Sequence, residues 1–387
     1  MKKKVKEQIE GFSGVESEIE LLRRHAPDPS AEKGQVGRII DRLHPRRLNL
    51  MVSEVRQETA TAKTFRLVSQ DHYLPPFLAG QYINLFLDVN GIRTSRPYSI
   101  SSSPGQTAYY DITVRRVPNG FFSQYLLDEG KAGDLLQSTS PAGYFHHNPL
   151  FHGNDLVFLA GGSGITPFMS MIREITDRGL NRKIHLIYGS QQEDDIIFRE
   201  ELSERAAHHA NLSLHHVITE PSPGWTGPAG FITAEVIQSI LGDTGLADRM
   251  FYLCGPEAMY GFVLNQMEKL GIPRRRIRIE IFGPPADITA HPGWPEQVAK
   301  ADQFQIRLQN GTVFSAAAGE PLMNSLERNG LALEASCRSG SCSLCRTKLV
   351  SGKVFHPAGV QIRKSDRKFG YIHPCMAYPL EDLELLL

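Results

Sequence analysis

The sequence predicts a multi-domain protein of the α/β plus β class. We expect an antiparallel β-barrel, a Rossmann-like α/β domain and a small C-terminal β domain. Three observations predict this class: β-rich runs punctuated by Gly and Pro in residues 48–150, alternating strands and helices in residues 151–283, and a group of cysteines near the C-terminus. A chain of 387 residues is long enough for two or three such domains.

The bulk composition excludes some classes of function. Lys+Arg and Asp+Glu are both 42, so no net charge points to a nucleic acid or another polyanion. No apolar run approaches the roughly 18 residues that a membrane-spanning helix needs. The lysine-rich start is followed by Glu7-Gln8-Ile9-Glu10 rather than by the apolar core of a signal peptide. We therefore expect a cytoplasmic protein.

Residues 1–47 are predicted to form an N-terminal helical extension. Val36, Ile39, Ile40 and Leu43 have the i, i+3, i+4, i+7 spacing of one apolar helix face, and Pro45 follows them. A helix packed on the main body is the first interpretation, and a docking element for a partner is the alternative.

Residues 48–150 are predicted to form the barrel. Apolar residues alternate with other residues from Ile83 to Val89, and the turn signal Asn90-Gly91 follows. Tyr110–Val114 is a second β-rich run. Several short strands with this punctuation favour a closed antiparallel barrel.

Residues 151–283 alternate between strands and helices. Leu156–Ala160, Ile184–Tyr188 and Phe251–Cys254 are apolar runs, and a glycine-rich turn follows the first of them. This order favours a parallel sheet covered by helices. The proline-rich residues 284–300 are predicted to be a stiff linker to a domain formed by residues 301–387. That domain is predicted to begin with a hairpin that turns at Asn310-Gly311.

Four of the five cysteines are predicted metal ligands. Cys337, Cys342 and Cys345 have the spacing C-x4-C-x2-C, and 29 residues separate Cys345 from Cys375. This is the plant-type spacing for a [2Fe–2S] cluster, whose irons prefer thiolate ligands. A structural zinc site and free buried thiols are the alternatives. Zinc ribbons usually have two C-x2-C knuckles, whereas this chain has one.

Two segments of the predicted barrel could bind a dinucleotide-like cofactor. Arg96 can neutralise a pyrophosphate, and Tyr98 offers a flat ring to an isoalloxazine or its ribityl chain. The start of a helix at Gly120 to Ser123 presents backbone N–H groups to phosphate. The candidate flavin-binding residues are Arg96, Pro97, Tyr98, Ser99, Arg115, Gly120, Phe122 and Ser123.

Two further segments could bind a nicotinamide dinucleotide. A glycine loop between a buried strand and a helix lets the backbone approach a pyrophosphate, and the sequence Cys254-Gly255-Pro256 follows a later strand. The glycine loop departs from G-x-G-x-x-G because its last position is proline. The candidates are Gly161, Gly162, Gly164, Thr166, Pro167, Cys254, Gly255 and Pro256.

These motifs together resemble the ferredoxin–NADP reductase superfamily over about residues 48–283, and the cysteine loop resembles that of plant-type ferredoxins. The resemblance implies a flavin-binding barrel, a Rossmann-like nucleotide-binding domain and a β-grasp ferredoxin domain. The form R-P-Y-S-I suggests FAD, although some relatives with an appended ferredoxin use FMN. One departure is Ser343, where glycine is common, and we expect little consequence because serine is small.

The resemblance also implies an activity. NAD(P)H would give a hydride to FAD, and single electrons would leave through the [2Fe–2S] cluster to a partner protein such as an oxygenase component. Ser99, Cys254 and Glu280 would lie at the site of hydride transfer, and Thr166 would lie near the flavin. Without the resemblance, Cys254 would be taken as a small buried hydrophobe.

Some alternatives stay open from the sequence. The strand ending at Tyr188 is followed by no acidic residue or arginine in the first three positions after Gly189, which weakly favours NADH over NADPH, although Arg199 could still reach a 2′-phosphate. An electron-transfer subunit of a dehydrogenase is a second hypothesis, although such subunits have a much shorter gap before the last cysteine. A redox sensor that uses the cluster as a switch is a third.

Overall fold

The computed structural model describes residues 11–25, 34–118 and 120–387. These residues fall into two units, one within residues 1–46 and one within residues 47–387. Among the described residues, no helix combines the length and the apolar character that are needed to cross a bilayer. The lysine-rich segment discussed above, residues 1–10, lies outside the described residues.

The first unit contains two helices, α1 (Phe12–His25) and α2 (Gln35–Leu43). Helix α2 confirms the helix predicted from the apolar spacing, and it ends two residues before Pro45. Neither helix buries a residue, and Val36, Ile39 and Ile40 of α2 are all more than half exposed.

The barrel is a six-stranded antiparallel sheet in the order β4-β3-β6-β1-β2-β5. The bridge between Ile100 and Ile112 joins the end of β4 to β5 and closes the barrel. Asn90 and Gly91 both have positive φ, so they form the tight hairpin turn that the sequence predicted. The elements are β1 (Leu48–Thr59), β2 (Ala62–Ser69), β3 (Tyr82–Val89), β4 (Ile92–Ser99), β5 (Tyr110–Arg115), α3 (Phe121–Glu129) and β6 (Leu135–Ser138).

The next domain is a five-stranded parallel sheet in the order β11-β10-β7-β8-β9. The central strand β7 is almost wholly buried because helices cover both faces of the sheet. The elements are β7 (Asp155–Gly161), α4 (Ile165–Asp177), β8 (Lys183–Ser190), α5 (Arg199–His208), β9 (Leu212–Ile218), α6 (Ala234–Leu241), β10 (Met250–Cys254), α7 (Glu257–Lys269) and β11 (Ile277–Glu280). This arrangement confirms the predicted Rossmann-like domain.

The C-terminal domain is built on a five-stranded mixed sheet in the order β13-β12-β18-β14-β16, against which α8 packs. Its first two strands form the predicted hairpin, and the last strand lies parallel to β12. The elements are β12 (Gln303–Leu308), β13 (Val313–Ala317), α8 (Leu322–Arg328), β14 (Thr347–Ser351), β15 (Val354–Phe355), α9 (Lys364–Lys368), β16 (Tyr371–Ile372), β17 (Tyr378–Pro379) and β18 (Leu383–Leu386).

Residues 284–300 are held by contacts at both ends rather than acting as a free spacer. The backbone N–H of Ala286 donates to the Glu257 carboxylate at the start of α7, at 2.8 Å. Farther along, the Trp294 ring packs edge-on against Phe355 and Tyr378 of the C-terminal domain, with centroid separations of 5.3 and 6.3 Å.

The barrel and the C-terminal domain are joined by a buried carboxylate, that of Glu327 at the end of α8. Two hydrogen bonds, at 2.5 and 3.1 Å, pair it with the Arg338 guanidinium, and both side chains are less than 8% exposed. The Thr94 hydroxyl of β4 donates to the same carboxylate at 2.9 Å. A second bond runs from the Asn84 amide of β3 to the carbonyl oxygen of Ala335, at 2.7 Å.

Replacing Glu327→Gln should destabilise the protein strongly, because it leaves the buried Arg338 without a counter-charge. Breaking a buried pair costs about 3–5 kcal/mol, and we expect a loss of this size in the free energy of unfolding, measured by urea and circular dichroism. The matched control is Glu334→Gln. It removes the more exposed Arg47–Glu334 pair between the same two domains, which should contribute about 0–1 kcal/mol. Equal losses for the two variants would contradict this assignment.

Candidate functional site

Arg96 occupies the barrel strand β4 with its charge only partly satisfied. Its guanidinium donates to the Thr94 hydroxyl at 2.9 Å and to the carbonyl oxygen of Ser95 at 2.7 Å, and both acceptors are neutral. Burial, and then the positive charge of Arg338, lower the pKa of Arg96 to about 10. Two neighbouring arginines therefore share one carboxylate, that of Glu327. The surplus positive charge suits a bound phosphate or pyrophosphate.

The aromatic part of this site comes from β4 and α3. The Tyr98 ring lies 5.9 Å from the Phe122 ring at an interplanar angle of 36°. Helix α3 begins directly after Gly120, where a Cβ would come within 2.6 Å of the Ser123 hydroxyl oxygen. That hydroxyl accepts a hydrogen bond from the backbone N–H of Val117, so the start of the helix is held close to the end of β5. Pro97 and Ser99 also lie in β4, and Ser99 is buried.

The two predicted nucleotide segments meet at the carboxyl edge of the parallel sheet, backbone against backbone. A Cβ at Gly164 would lie 2.2 Å from the carbonyl oxygen of Cys254, and one at Gly255 would lie 3.3 Å from the Cα of Gly161. A Cβ at Gly161 would lie 2.8 Å from the Cδ of Pro256, which precedes α7. Glycine is therefore required sterically at Gly164, where the nearest atoms belong to backbone, and a side chain at Gly161 or Gly255 would force its neighbours to shift. A cleft at this edge is where open α/β sheets bind dinucleotides.

The loop between β7 and α4 is longer than a direct strand-to-helix turn. Residues Gly162–Gly164 form a 3-10 turn, and Thr166 and Pro167 lie in the first turn of α4. The Thr166 hydroxyl donates to the carbonyl oxygen of Ser163, so it stabilises this turn. The Arg115 guanidinium from the barrel donates a hydrogen bond to the Asp195 carboxylate at 3.1 Å. A Cβ at Gly162 would lie 2.6 Å from a guanidinium nitrogen of Arg115.

Cys254 and Glu280 are partners on neighbouring parallel strands, so both lie at the same edge of the sheet. The Tyr260 hydroxyl donates to the carbonyl oxygen of Glu280 at 2.6 Å and accepts from the Gly255 N–H at 3.3 Å. Burial raises the pKa of the Cys254 thiol, which is therefore neutral. Burial, and then the negative charge of Cys337, raise the pKa of Glu280 to about 8.

The four clustered cysteines converge in the C-terminal domain. Cys345 and Cys375 have their sulfur atoms 3.4 Å apart, and the thiol of Cys337 interacts with those of Cys342 and Cys375. Three backbone N–H groups, from Ser339, Ser341 and Cys342, donate to the Cys337 sulfur at 3.3 to 3.4 Å. Hydrogen bonds from the Cys342 and Cys375 thiols, and to a smaller extent those from the backbone, lower the pKa of Cys337 and favour a thiolate there. Four thiols and several N–H donors suit an iron–sulfur cluster.

The conformation of the cysteine loop explains why glycine is common at the position of Ser343. Ser343 has a φ of +59°, in the left-handed region that glycine adopts without strain, and Arg338 has a φ of +51°. A residue with a Cβ in this region costs roughly 1–2 kcal/mol. We expected little consequence from serine because its side chain is small. The constraint at this position is instead on the backbone, which has to adopt a positive φ.

Tyr82 is a residue of this region that the sequence did not single out as a site residue. It pairs with Ser99 in the barrel, and its ring lies edge-on to that of Phe282, with centroids 5.9 Å apart. Its hydroxyl lies close to the side chain of Ser336, next to Cys337. Burial, followed by the charge of Cys337, raises its pKa. Tyr82 therefore touches all three domains. Its only signal in the sequence was its place in the strand before the flavin motif.

Comparison with known proteins supports this division of the chain. Three family models match: the oxidoreductase FAD-binding domain over residues 47–147, the oxidoreductase NAD-binding domain over residues 158–265, and the 2Fe-2S iron–sulfur cluster binding domain over residues 306–380.

Some curated relatives match most of the chain. The chain is 30% identical over 341 residues to the glycine betaine monooxygenase reductase subunit of Pseudomonas aeruginosa, covering 85% of this chain and 92% of that protein. It is 31% identical over 337 residues to the NADH oxidoreductase HCR of Escherichia coli, covering 87% and 96%. The chain belongs to this family of flavin and iron–sulfur reductases.

A solved structure shows the same architecture for this reductase. Phthalate dioxygenase reductase, described as a modular structure for electron transfer from pyridine nucleotides to [2Fe-2S], superimposes with a TM-score of 0.64 at 26% identity, covering 88% of this chain and 97% of that one. The reductase uses FAD and a [2Fe–2S] cluster as cofactors and a nicotinamide dinucleotide as the electron donor. The partly satisfied charge of Arg96, the close glycines and the convergent thiols fit these three groups in turn.

Gly164→Ala should weaken nucleotide binding because its methyl group would push the glycine loop away from Cys254. We expect the KM for NADH to rise about tenfold or more, since small misplacements are costly at a hydride-transfer site, while flavin and iron contents stay unchanged. The control is Gly261→Ala on α7, where nothing lies within 4 Å of the added Cβ. Steady-state ferricyanide reduction measures both, and an unchanged KM for Gly164→Ala would contradict the close approach.

Proposed function

We propose that electrons cross this reductase at Tyr82, where the flavin strand, the end of the nucleotide domain and the cluster loop meet. The supporting observation is the set of Tyr82 contacts with Ser99, Phe282 and Ser336. When bound, FAD supplies the two-electron to one-electron conversion between NAD(P)H and the cluster. The protein holds the donor, the flavin and the cluster in fixed positions.

The residues are assigned to three tasks in this proposal. Arg96, Tyr98 and the N-terminus of α3 would hold the flavin, and the glycine loops and Pro256 would hold the nucleotide. Ser99, Cys254 and Glu280 surround the point of hydride transfer. The neutral Cys254 thiol is a packing surface for the nicotinamide ring rather than a nucleophile, because hydride transfer needs no covalent bond to the protein. Cys337, Cys342, Cys345 and Cys375 ligate the cluster.

The physiological acceptor is proposed to be an oxygenase component, by analogy with the glycine betaine monooxygenase and phthalate dioxygenase reductases. Plant-type clusters have reduction potentials of about −400 mV, low enough to reduce many acceptors. A cytoplasmic location accompanies this proposal, because the donor NADH is supplied there.

Cys375→Ser should separate the two halves of the relay. It removes one cluster ligand, so the iron–sulfur absorbance and cytochrome c reduction should be lost. Ferricyanide reduction, for which electrons can leave directly from the flavin, should remain, and flavin content reports that the barrel is intact. Cytochrome c reduction at the wild-type rate would show that electrons do not leave through the cluster.

NADH is the proposed donor rather than NADPH. Glu193 begins an acidic 3-10 turn, Glu193–Asp195, after β8. Its carboxylate accepts from the N–H and the hydroxyl of Ser222, at 3.1 and 2.7 Å, so the turn is fixed in place. Fixed carboxylates at the end of the second strand would bind a ribose 2′-hydroxyl and repel a 2′-phosphate.

Glu193→Arg should therefore change the choice of donor. We expect the ratio of kcat/KM for NADPH to that for NADH to rise about tenfold, because a repulsive charge is replaced by an attractive one. Glu204→Arg, on the exposed surface of α5, makes the same charge change away from the cleft and should leave the ratio unaltered. A wild-type protein that prefers NADPH would overturn the assignment.

A further inference from the structure

The segment between the third and fourth cysteine ligands has a large excess of positive charge. Between Cys345 and Cys375 there are seven lysines and arginines and one acidic residue, Asp366, in a chain whose overall net charge is zero. The cationic residues are Arg346, Lys348, Lys353, Arg363, Lys364, Arg367 and Lys368. Such a local surplus is not needed to fold a small β domain.

Three contacts fix this segment against the cluster loop. The backbone N–H of Gln361 donates to the carbonyl oxygen of Gly340 at 3.1 Å. Val360 packs closely against Gly340, because a Cβ added at Gly340 would lie 2.9 Å from the Val360 side chain. The buried Asp366 of α9 pairs with Arg346, directly after Cys345, at 3.1 Å. Helix α9 is therefore held beside the cluster.

The cations on and before α9 face solvent. Arg363, Lys364, Arg367 and Lys368 are all exposed, and no acidic side chain in the described part of the chain lies within ion-pair distance of them. Since Asp366 points inward, its pairing with Arg346 does not neutralise them. Their charge is available to a partner.

One part of the cluster loop is covered by the barrel and α8, and another part is exposed. Ser336 and Arg338 are covered by Tyr82 of the barrel and by Glu327. In contrast, Leu344 lies between two ligands and is 54% exposed, and Phe369, at the end of α9, is 59% exposed. An exposed apolar residue beside a basic rim is typical of a protein docking surface.

We propose that Leu344, Phe369 and the cations Arg363, Lys364, Arg367 and Lys368 form the docking surface for the electron acceptor, and that this acceptor presents an acidic surface around its own redox centre. The proposal rests on the function proposed above and adds the chemistry of the partner. Opposite charges would steer the acceptor to the exposed part of the cluster loop and hold it there for transfer.

The experiment compares two haem proteins of opposite charge as acceptors for the holoenzyme: cytochrome b5, which is acidic, and cytochrome c, which is basic. For wild type, we expect kcat/KM with cytochrome b5 to fall as salt is raised, because screening weakens attraction, and that with cytochrome c to rise. The double variant Lys364→Glu/Lys368→Glu should lower kcat/KM for cytochrome b5 about tenfold or more at low salt and raise it for cytochrome c.

The matched control is Lys183→Glu/Arg275→Glu, which changes the net charge equally. Both residues are exposed. Lys183 begins β8 and Arg275 lies just before β11, so both are at the edge of the parallel sheet opposite the nucleotide cleft. Ferricyanide reduction and the visible spectrum report intact holoenzyme in each case. Salt-independent rates in wild type, or equal effects of both double variants, would overturn the docking surface. Wild-type holoenzyme that reduces neither cytochrome would instead refute the proposed function.

Discussion

The structure of this reductase depends on the buried carboxylate of Glu327. It neutralises Arg338 in the cysteine loop and accepts a hydrogen bond from Thr94 in the strand that also carries Arg96. One side chain thus ties the iron–sulfur loop to the flavin strand. A buried charge of this kind is stable only while its partners stay in place, so the need to pair it holds the cysteine loop against β4.

The second constraint is steric and acts at the nucleotide cleft. Gly164 and the backbone of Cys254 come so close that no side chain fits between them, which brings two loops from different strands to one edge of the sheet. The same edge holds Glu280, and Phe282 just beyond it touches Tyr82. The hydride donor, the flavin strand and the cluster loop therefore share one small region, and the protein contributes position rather than reactive groups.

The cluster loop has two different sides as a result. The side with Ser336 and Arg338 is covered by the barrel and α8, whereas Leu344 and the basic segment around α9 are exposed. An electron that arrives from the barrel would leave on the opposite side. The long gap before Cys375, which in the sequence looked only like a spacing that differs from dehydrogenase subunits, supplies the charge on that exit side.

The sequence by itself determined the three-domain fold and the hairpin at Asn90-Gly91, and it predicted the four cysteine ligands, because turn chemistry, apolar periodicity and ligand spacing are local properties. It could not determine which distant residues meet. Tyr82 was not singled out as a site residue, nothing in the sequence pointed to Glu327, and Ser343 looked like a harmless replacement for glycine. Only the tertiary structure decided their roles, since each depends on a neighbour or a backbone angle that packing imposes and that no local pattern encodes.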